Sequence, residues 1–247
     1  MASSSNRACS GATRSLEWPH GRHLDPHARA GRGAPLSPAN GYQLRRELVS
    51  WNVDSWAKVN PGSIYSMLAT LTKQGMLEAT ALPEGGRTVT VYTPTPAGIE
   101  ELDRLIHDGI RTVTAMDPTG FRVALSFAPL LERGVFAGLL EDRLQTVRGG
   151  ADGLAVEAER ILTTQYAPPH VAYSLGLEGC LLAAEAEWIE DLLTVVRDGG
   201  LNFAGEDGGW VAPPEDAGWE MAHESARYRE QLERLHAITA ESHGKSA

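Results

Sequence analysis

The chain has 247 residues, 42% of them hydrophobic and 22% charged, with two Cys and a net charge of −10. That length allows one or two small domains with cores of their own, and the apolar share excludes a wholly disordered chain. There is neither a membrane-length apolar run nor, in the first thirty residues, the apolar centre of a signal peptide, so a cytoplasmic chain with no membrane partner is expected.

Cys9 and Cys180 form neither a disulfide scaffold nor a CxxC pair, so no structural metal and no cofactor are expected. The charge is uneven. Residues 1–99 hold ten Lys/Arg against six Asp/Glu, and residues 100–247 hold twelve against twenty-six. A basic front and an acidic rear fit a nucleic-acid-binding end joined to a non-binding end.

Residues 1–40 are rich in Ser, Arg, Gly, His and Pro, and Leu16, Trp18, Leu24 and Leu36 follow no period. Such a stretch can bury no face, so a disordered tail is expected, although its acid-poor composition also fits a transit peptide. His20, His23 and His27 have metal-ligand spacing, but Pro19, Gly21 and Pro26 interrupt any helix there. A solvated polar tail is the expectation.

From Gly41 the pattern changes. Tyr42, Leu44, Leu48 and Val49 fall at helical intervals, and a loop with Trp51 and Trp56 follows. Asn60-Pro61-Gly62-Ser63 opens a second helix running to about Gln74, with Ile64, Leu68 and Leu71 as its buried stripe and Gly75 as its stop. Met76 to Leu82 and Arg87 to Thr93 flank the turn Pro83-Glu84-Gly85-Gly86 and predict a β-hairpin, with Val89 and Val91 on one side. Thr95-Pro96 restarts a helix with Ile99, Leu102 and Ile106 on its apolar face.

Helix, helix, hairpin, helix over residues 41–110 is the order of a winged helix-turn-helix domain. In that module the second helix enters the major groove and the hairpin touches the backbone beside it. The face of that helix opposite the stripe carries Gly62, Ser66, Ala69, Thr70 and Lys73, small or polar side chains that permit close approach to a duplex. The same pattern also fits a purely structural helix pair with an attached hairpin.

Residues 118–199 read as helical throughout. Phe121 to Leu131 carries one stripe, and Phe136, Leu139, Leu140, Leu144 and Val147 form another. A more polar third helix is predicted over 151–164, before a break at Pro168-Pro169. Leu175, Leu182, Ile189 and Val196 then recur every seven residues, which marks a helix packed on another helix of its own subunit, of a second subunit, or both. Residues 200–219 read as a linker. A last amphipathic helix is predicted over 220–241, with Tyr228, Leu232, Leu235 and Ile238 on one face and a Glu230–Arg234 pair. The expected fold class is mainly α with a small β-hairpin, a winged helix-turn-helix domain followed by an α-helical dimerisation domain over 118–199.

Five short motifs stand in one order: Gly41-Tyr42-Gln43-Leu44, Pro61-Gly62-Ser63-Ile64-Tyr65, Leu68-x-x-Leu71-x-x-x-Gly75-Met76-Leu77, Val91-Tyr92 and Thr95-Pro96-Ala97-Gly98. Together they resemble the PadR family of transcriptional regulators, over roughly residues 41–199 with the specificity in 41–98. The resemblance implies a homodimer that binds a pseudo-palindromic double-stranded DNA operator, as a repressor, and is released by a small molecule. It implies that Tyr42 opens the helix before the recognition helix, and that Ser63, Tyr65 and Ser66 stand at the start of the latter. Thr70 and Lys73 continue its exposed face, and Gly85, Gly86 and Arg87 make the wing tip. Hydroxyls and free N–H groups at a helix start donate to phosphates, and an arginine on a glycine turn reaches a phosphate or the minor groove. For Tyr65 a ring packed under the hairpin, and for Lys73 a plain solvated side chain, are the competing readings. The acidic helical region looks like the family's dimer-forming domain, with Leu175, Leu182, Ile189 and Val196 as candidate dimer contacts.

Two departures stand out. The family's apolar first helix is missing before Gly41, where Pro35-Leu36-Ser37-Pro38-Ala39-Asn40 stand instead. The apolar side of Leu44 and Leu48 then needs another cover, the 220–241 helix or the partner subunit, unless the natural start differs. The extension after Gly199 also lies outside the pattern.

An enzyme is not expected: there is no Gly-rich phosphate loop, nucleophile elbow or HExxH, and Glu185, Glu187, Glu190 and Asp191 spread over a solvated helix face. The expected effector is a small aromatic or hydrophobic molecule, lined by Trp188 and Tyr173 or by Trp51 and Trp56. The alternative class is a helical adaptor that binds a protein partner and no DNA.

Overall fold

The computed structural model describes residues 38–56, 60–206, 213–215 and 218–244. The three tail histidines and the rest of the tail up to residue 37 lie outside the described residues. Regular backbone is present before Gly41, where the composition implies none. Ala39–Asn40 (β1) is a short strand with Ala39 buried, which corrects the expected disorder at the end of the tail. Asn40 then caps α1 (Gly41–Ser50). Its side chain accepts from the Gln43 backbone N–H while the Gln43 side chain accepts from that of Asn40, a capping box.

Helix α1 turns a different face inward from the one its apolar spacing predicts. Gly41, Gln43 and Glu47 are buried, Leu44 and Leu48 half-buried, and Tyr42 and Val49 exposed. Polar satisfaction decides this: Gln43 serves the cap, and Glu47 accepts a hydrogen bond from Trp51 Nε1 at 2.8 Å. A one-turn helix, α2 (Val53–Trp56), follows. A 3-10 turn over Pro61–Ser63 leads into α3 (Ile64–Lys73), where Ile64 and Leu68 are buried. Leu71, predicted as the third member of that stripe, is exposed. Strands β2 (Leu77–Glu84) and β3 (Arg87–Pro94) form the hairpin, and β1 adds to β3, giving an antiparallel sheet in the order β1-β3-β2. Gly85 and Gly86 have φ of +53° and +83°, the left-handed pair that a two-residue hairpin turn requires. Thr95 caps α4 (Pro96–Arg111), accepting from the Gly98 N–H at 3.1 Å.

Helix α4 carries the chain into a second core. There α5 (Thr119–Ser126), α6 (Arg133–Thr164) and α7 (Pro169–Arg197) bury Ile106, Ile110, Phe121, Phe136, Leu140 and Val147, among others. The separate helix predicted over 151–164 does not exist; α6 runs unbroken through Gly149-Gly150. A Cβ on Gly150 would stand 3.0 Å from Leu182 Cδ1, so the glycine lets α7 lie close and packing overrides its poor helix propensity.

The heptad residues fill this core from within. Leu182, Ile189 and Val196 are only 4%, 0% and 0% exposed against the chain's own α6, and Leu175 is half-buried. They are therefore not a free dimer seam. The first part of the predicted linker is folded too. Phe203 is buried with its ring 5.4 Å from that of Phe136, and Arg133 pairs with Glu206 at 2.6 Å while donating to the Leu201 and Val196 carbonyls. The Arg133 guanidinium holds the Glu206 carboxyl below its ordinary range. The last helix, α8 (Gly218–Gly244), buries Met221, Ser225 and Tyr228, with Leu232 half-buried; Leu235 and Ile238, predicted on the same face, are exposed. Its Glu230–Arg234 pair closes at 3.6 Å. No helix among the described residues is long and apolar enough to cross a membrane.

Candidate nucleic-acid interface

With Ile64 and Leu68 turned inward, α3 presents Gly62, Ser66, Ala69, Thr70 and Lys73 outward, all exposed. The hydroxyls along it are engaged with their own backbone. Ser63 Oγ donates to the Asn60 carbonyl at 2.7 Å, Ser66 Oγ to that of Ser63 at 2.7 Å, and Thr70 Oγ1 to that of Ser66 at 2.8 Å. A hydroxyl has one proton, so donating to a phosphate requires each side chain to exchange one bond for another. Two N–H groups at the helix start are also taken: that of Gly62 by the Asn60 side chain at 2.8 Å, and that of Ser63 by the Asn60 carbonyl at 2.9 Å. Asn60 is thus a positioning residue that the reading of the hydroxyls overlooked, though its place just before Pro61 is a cap signal visible in the sequence.

Tyr65 is exposed, and its ring is seated against Gly41, where a Cβ would come within 2.5 Å of Cε1. It packs on the start of α1 rather than under the hairpin, and Gly41 is the residue that admits it. Tyr42 lies on the next position of α1, also exposed. At the other end of the sheet, Gly86 and Arg87 are exposed at the turn, and Arg87 stands in register with Glu84. Among the described residues neither Lys73 nor Arg87 has an ion-pair partner. The Glu84 carboxylate instead accepts from the Tyr228 hydroxyl at 2.9 Å, and burial together with this bond pushes the Tyr228 hydroxyl above its ordinary pKa.

The unit is tied to the helical core at the far end of α4. Arg143 is buried on α6; its Nη1 donates to the carbonyls of Ile110 and Thr112 at 2.8 and 2.7 Å, and its Nε to Glu185 at 2.6 Å. Its guanidinium lies 3.7 Å from the Phe121 ring centroid. Glu185 is therefore not part of a solvated acidic face as its neighbours predict, and nothing in the local spacing announces Arg143 as a core residue.

The aromatic pairs sort differently from each other. Trp188 packs edge-on to Phe121 at 6.0 Å in the core, whereas Tyr173 is exposed and lies fifteen residues away on the same helix, about 22 Å along its axis. These two cannot share a site within one chain. Trp56 Nε1 donates to the Trp51 carbonyl at 2.8 Å, Trp51 meets Phe127 edge-on at 6.0 Å, and Arg122 lies over Trp56 at 5.1 Å. That cluster sits where the winged unit meets α5.

A helix pair, a glycine-tipped hairpin and a capped fourth helix, with a polar exposed face on the second major helix, define a winged helix-turn-helix protein. Residues 35–104 match the family described as Transcriptional regulator PadR-like family. No curated relative matches the chain. Among solved structures it is similar to Bacillus subtilis PadR in complex with operator DNA, at 20% identity over 64% of this chain and 90% of that one, with a TM-score of 0.28.

Proposed function

We propose that the protein is a homodimeric transcriptional regulator of the PadR type, a repressor that binds a pseudo-palindromic operator. The observation that carries this reading is the exposed polar face of α3 beside the exposed Arg87 of a two-glycine turn, within the segment that matches the family. Ser63, Tyr65, Ser66, Thr70 and Lys73 are proposed to face the major groove, Gly86 and Arg87 the adjacent backbone or minor groove, and Tyr42 the backbone at the start of α1.

The proposed dimer interface is the stripe Tyr173, Leu177 and Leu181 on α7, spaced i, i+4, i+8 and 74%, 56% and 43% exposed. A contiguous apolar stripe of that kind favours a partner surface. A small aromatic effector is proposed to act at the Trp51, Trp56 and Phe127 cluster, since rings at the joint between the two cores can couple ligand binding to the angle of the winged unit.

Selection of a bound duplex from random DNA, followed by titration at rising salt, tests the reading. The expected result is an enriched two-fold site whose binding weakens steeply with salt, since phosphate contacts release counterions. No enrichment, together with capture of a protein partner through α8, would instead favour the adaptor.

A further inference from the structure

Helix α8 lies outside the family match, yet it packs on the winged unit. Its buried side chains, Met221, Ser225 and Tyr228, recur at i, i+4 and i+7, the stripe of a helix laid on a surface. Tyr228 forms one apolar cluster with Leu82 and Val91, one from each strand of the hairpin and both fully buried. Its hydroxyl accepts from Asn40 Nδ2 and donates to Glu84 Oε1, each at 2.9 Å, so one side chain grips β1 and the end of β2 together. On α1, the buried Gln43 amide donates to Glu224, and Arg46 pairs with Glu220 at 3.4 Å. A buried amide without a partner costs more than the bond it makes, so Gln43 depends on Glu224 for its burial.

We propose that α8 is the third helix of the winged unit, supplied by the C-terminal end of the chain where the family pattern has a helix before Gly41. The hairpin's inner face, the cap at Asn40 and the buried side of α1 are closed by this one element. The wing tip is held by it too: Glu84, gripped by Tyr228, is the register partner of Arg87. The unit is therefore built from both ends of the chain, with α6 and α7 inserted between them. The consequence for operator binding rests on the function proposed above; the structural claim does not.

Amide exchange of the full-length protein tests it without DNA. Met221→Asp combined with Tyr228→Ala puts a charge under α8 and removes its anchor. The expected result is exchange about tenfold or more faster at residues 79–84 and 87–92, with residues 136–147 and 182–196 exchanging as in the unaltered chain. Unchanged exchange in the hairpin would overturn the proposal. Tyr228→Phe, which keeps the ring and removes only the two hydroxyl bonds, is the second variant if the first does not fold. It is expected to speed exchange a few-fold at residues 40–43 and 84–87, on the order of the loss of one or two hydrogen bonds, and equal rates there would overturn the proposal too. A chain that binds no operator yet shows this pattern would disprove the assigned function and leave the role of α8 intact.

Discussion

Arg143 shows how much one buried charge can organise. It is held by two backbone carbonyls at the end of α4, by Glu185 and by the face of Phe121. Arg143→Met leaves the Glu185 carboxylate without its partner in a site where its side chain is 16% exposed, and is expected to cost about 3–5 kcal/mol in urea unfolding. Arg143→Met with Glu185→Leu is expected to regain part of that loss, because it removes the uncompensated carboxylate while the Ile110 and Thr112 carbonyls still lack their donor. On the winged unit the charges are exposed and are proposed to act on DNA. Lys73 and Arg87 are the cations of α3 and of the hairpin. Arg87→Ala is expected to weaken binding to all duplexes alike. The slope of log affinity against log salt should become shallower by about 0.9 for each phosphate no longer neutralised, hence about twice that for a dimer. An unchanged slope in a titration by fluorescence anisotropy would remove Arg87 from the interface.

At the scale of the element, α7 shows that a heptad identifies a helical partner without saying whose helix it is. Leu182, Ile189 and Val196 meet α6 of the same chain, and the outward stripe is Tyr173, Leu177 and Leu181. Leu177→Glu with Leu181→Glu is expected to yield a folded monomer, seen as a halved mass in light scattering with an unchanged helical signal. Leu182→Asp with Ile189→Asp is expected to unfold the α6–α7 pair instead, since it places two unpaired charges in a closed core at a cost of several kcal/mol. A folded dimer from the first pair would move the interface elsewhere. Helix α1 shows the same limit from another side: its apolar spacing is real, but a capping box and a tryptophan hydrogen bond turn the polar residues inward.

In the proposed dimer the distance between the two recognition helices would be set by α4, its anchor on Arg143 and the α7 stripe, so the half-sites of the proposed operator are expected to be in phase. Insertion of about 5 base pairs between them places them on opposite faces of the duplex and is expected to weaken binding by about tenfold or more, whereas about 10 restore the phase at a cost. Equal affinity for both spacings, measured by gel shift, would show that the two units bind independently.

The sequence by itself determined the elements and their order: the hairpin from its Gly-Gly turn, α4 from Thr95-Pro96, the polar face of α3 from the spacing of Ile64 and Leu68. These signals are local, because caps, turns and periodicity act within a few residues of themselves. Only the tertiary structure decided which faces meet. The seam of α7 closed on α6, Gly150 passed without breaking a helix, and Arg143 went to the core because acceptors more than thirty residues away were waiting for it. The gap before Gly41 was visible in the sequence, and so was an amphipathic helix near the other end; that Tyr228 fills the one with the other depends on contacts 144 and 188 residues apart, which no local pattern can encode.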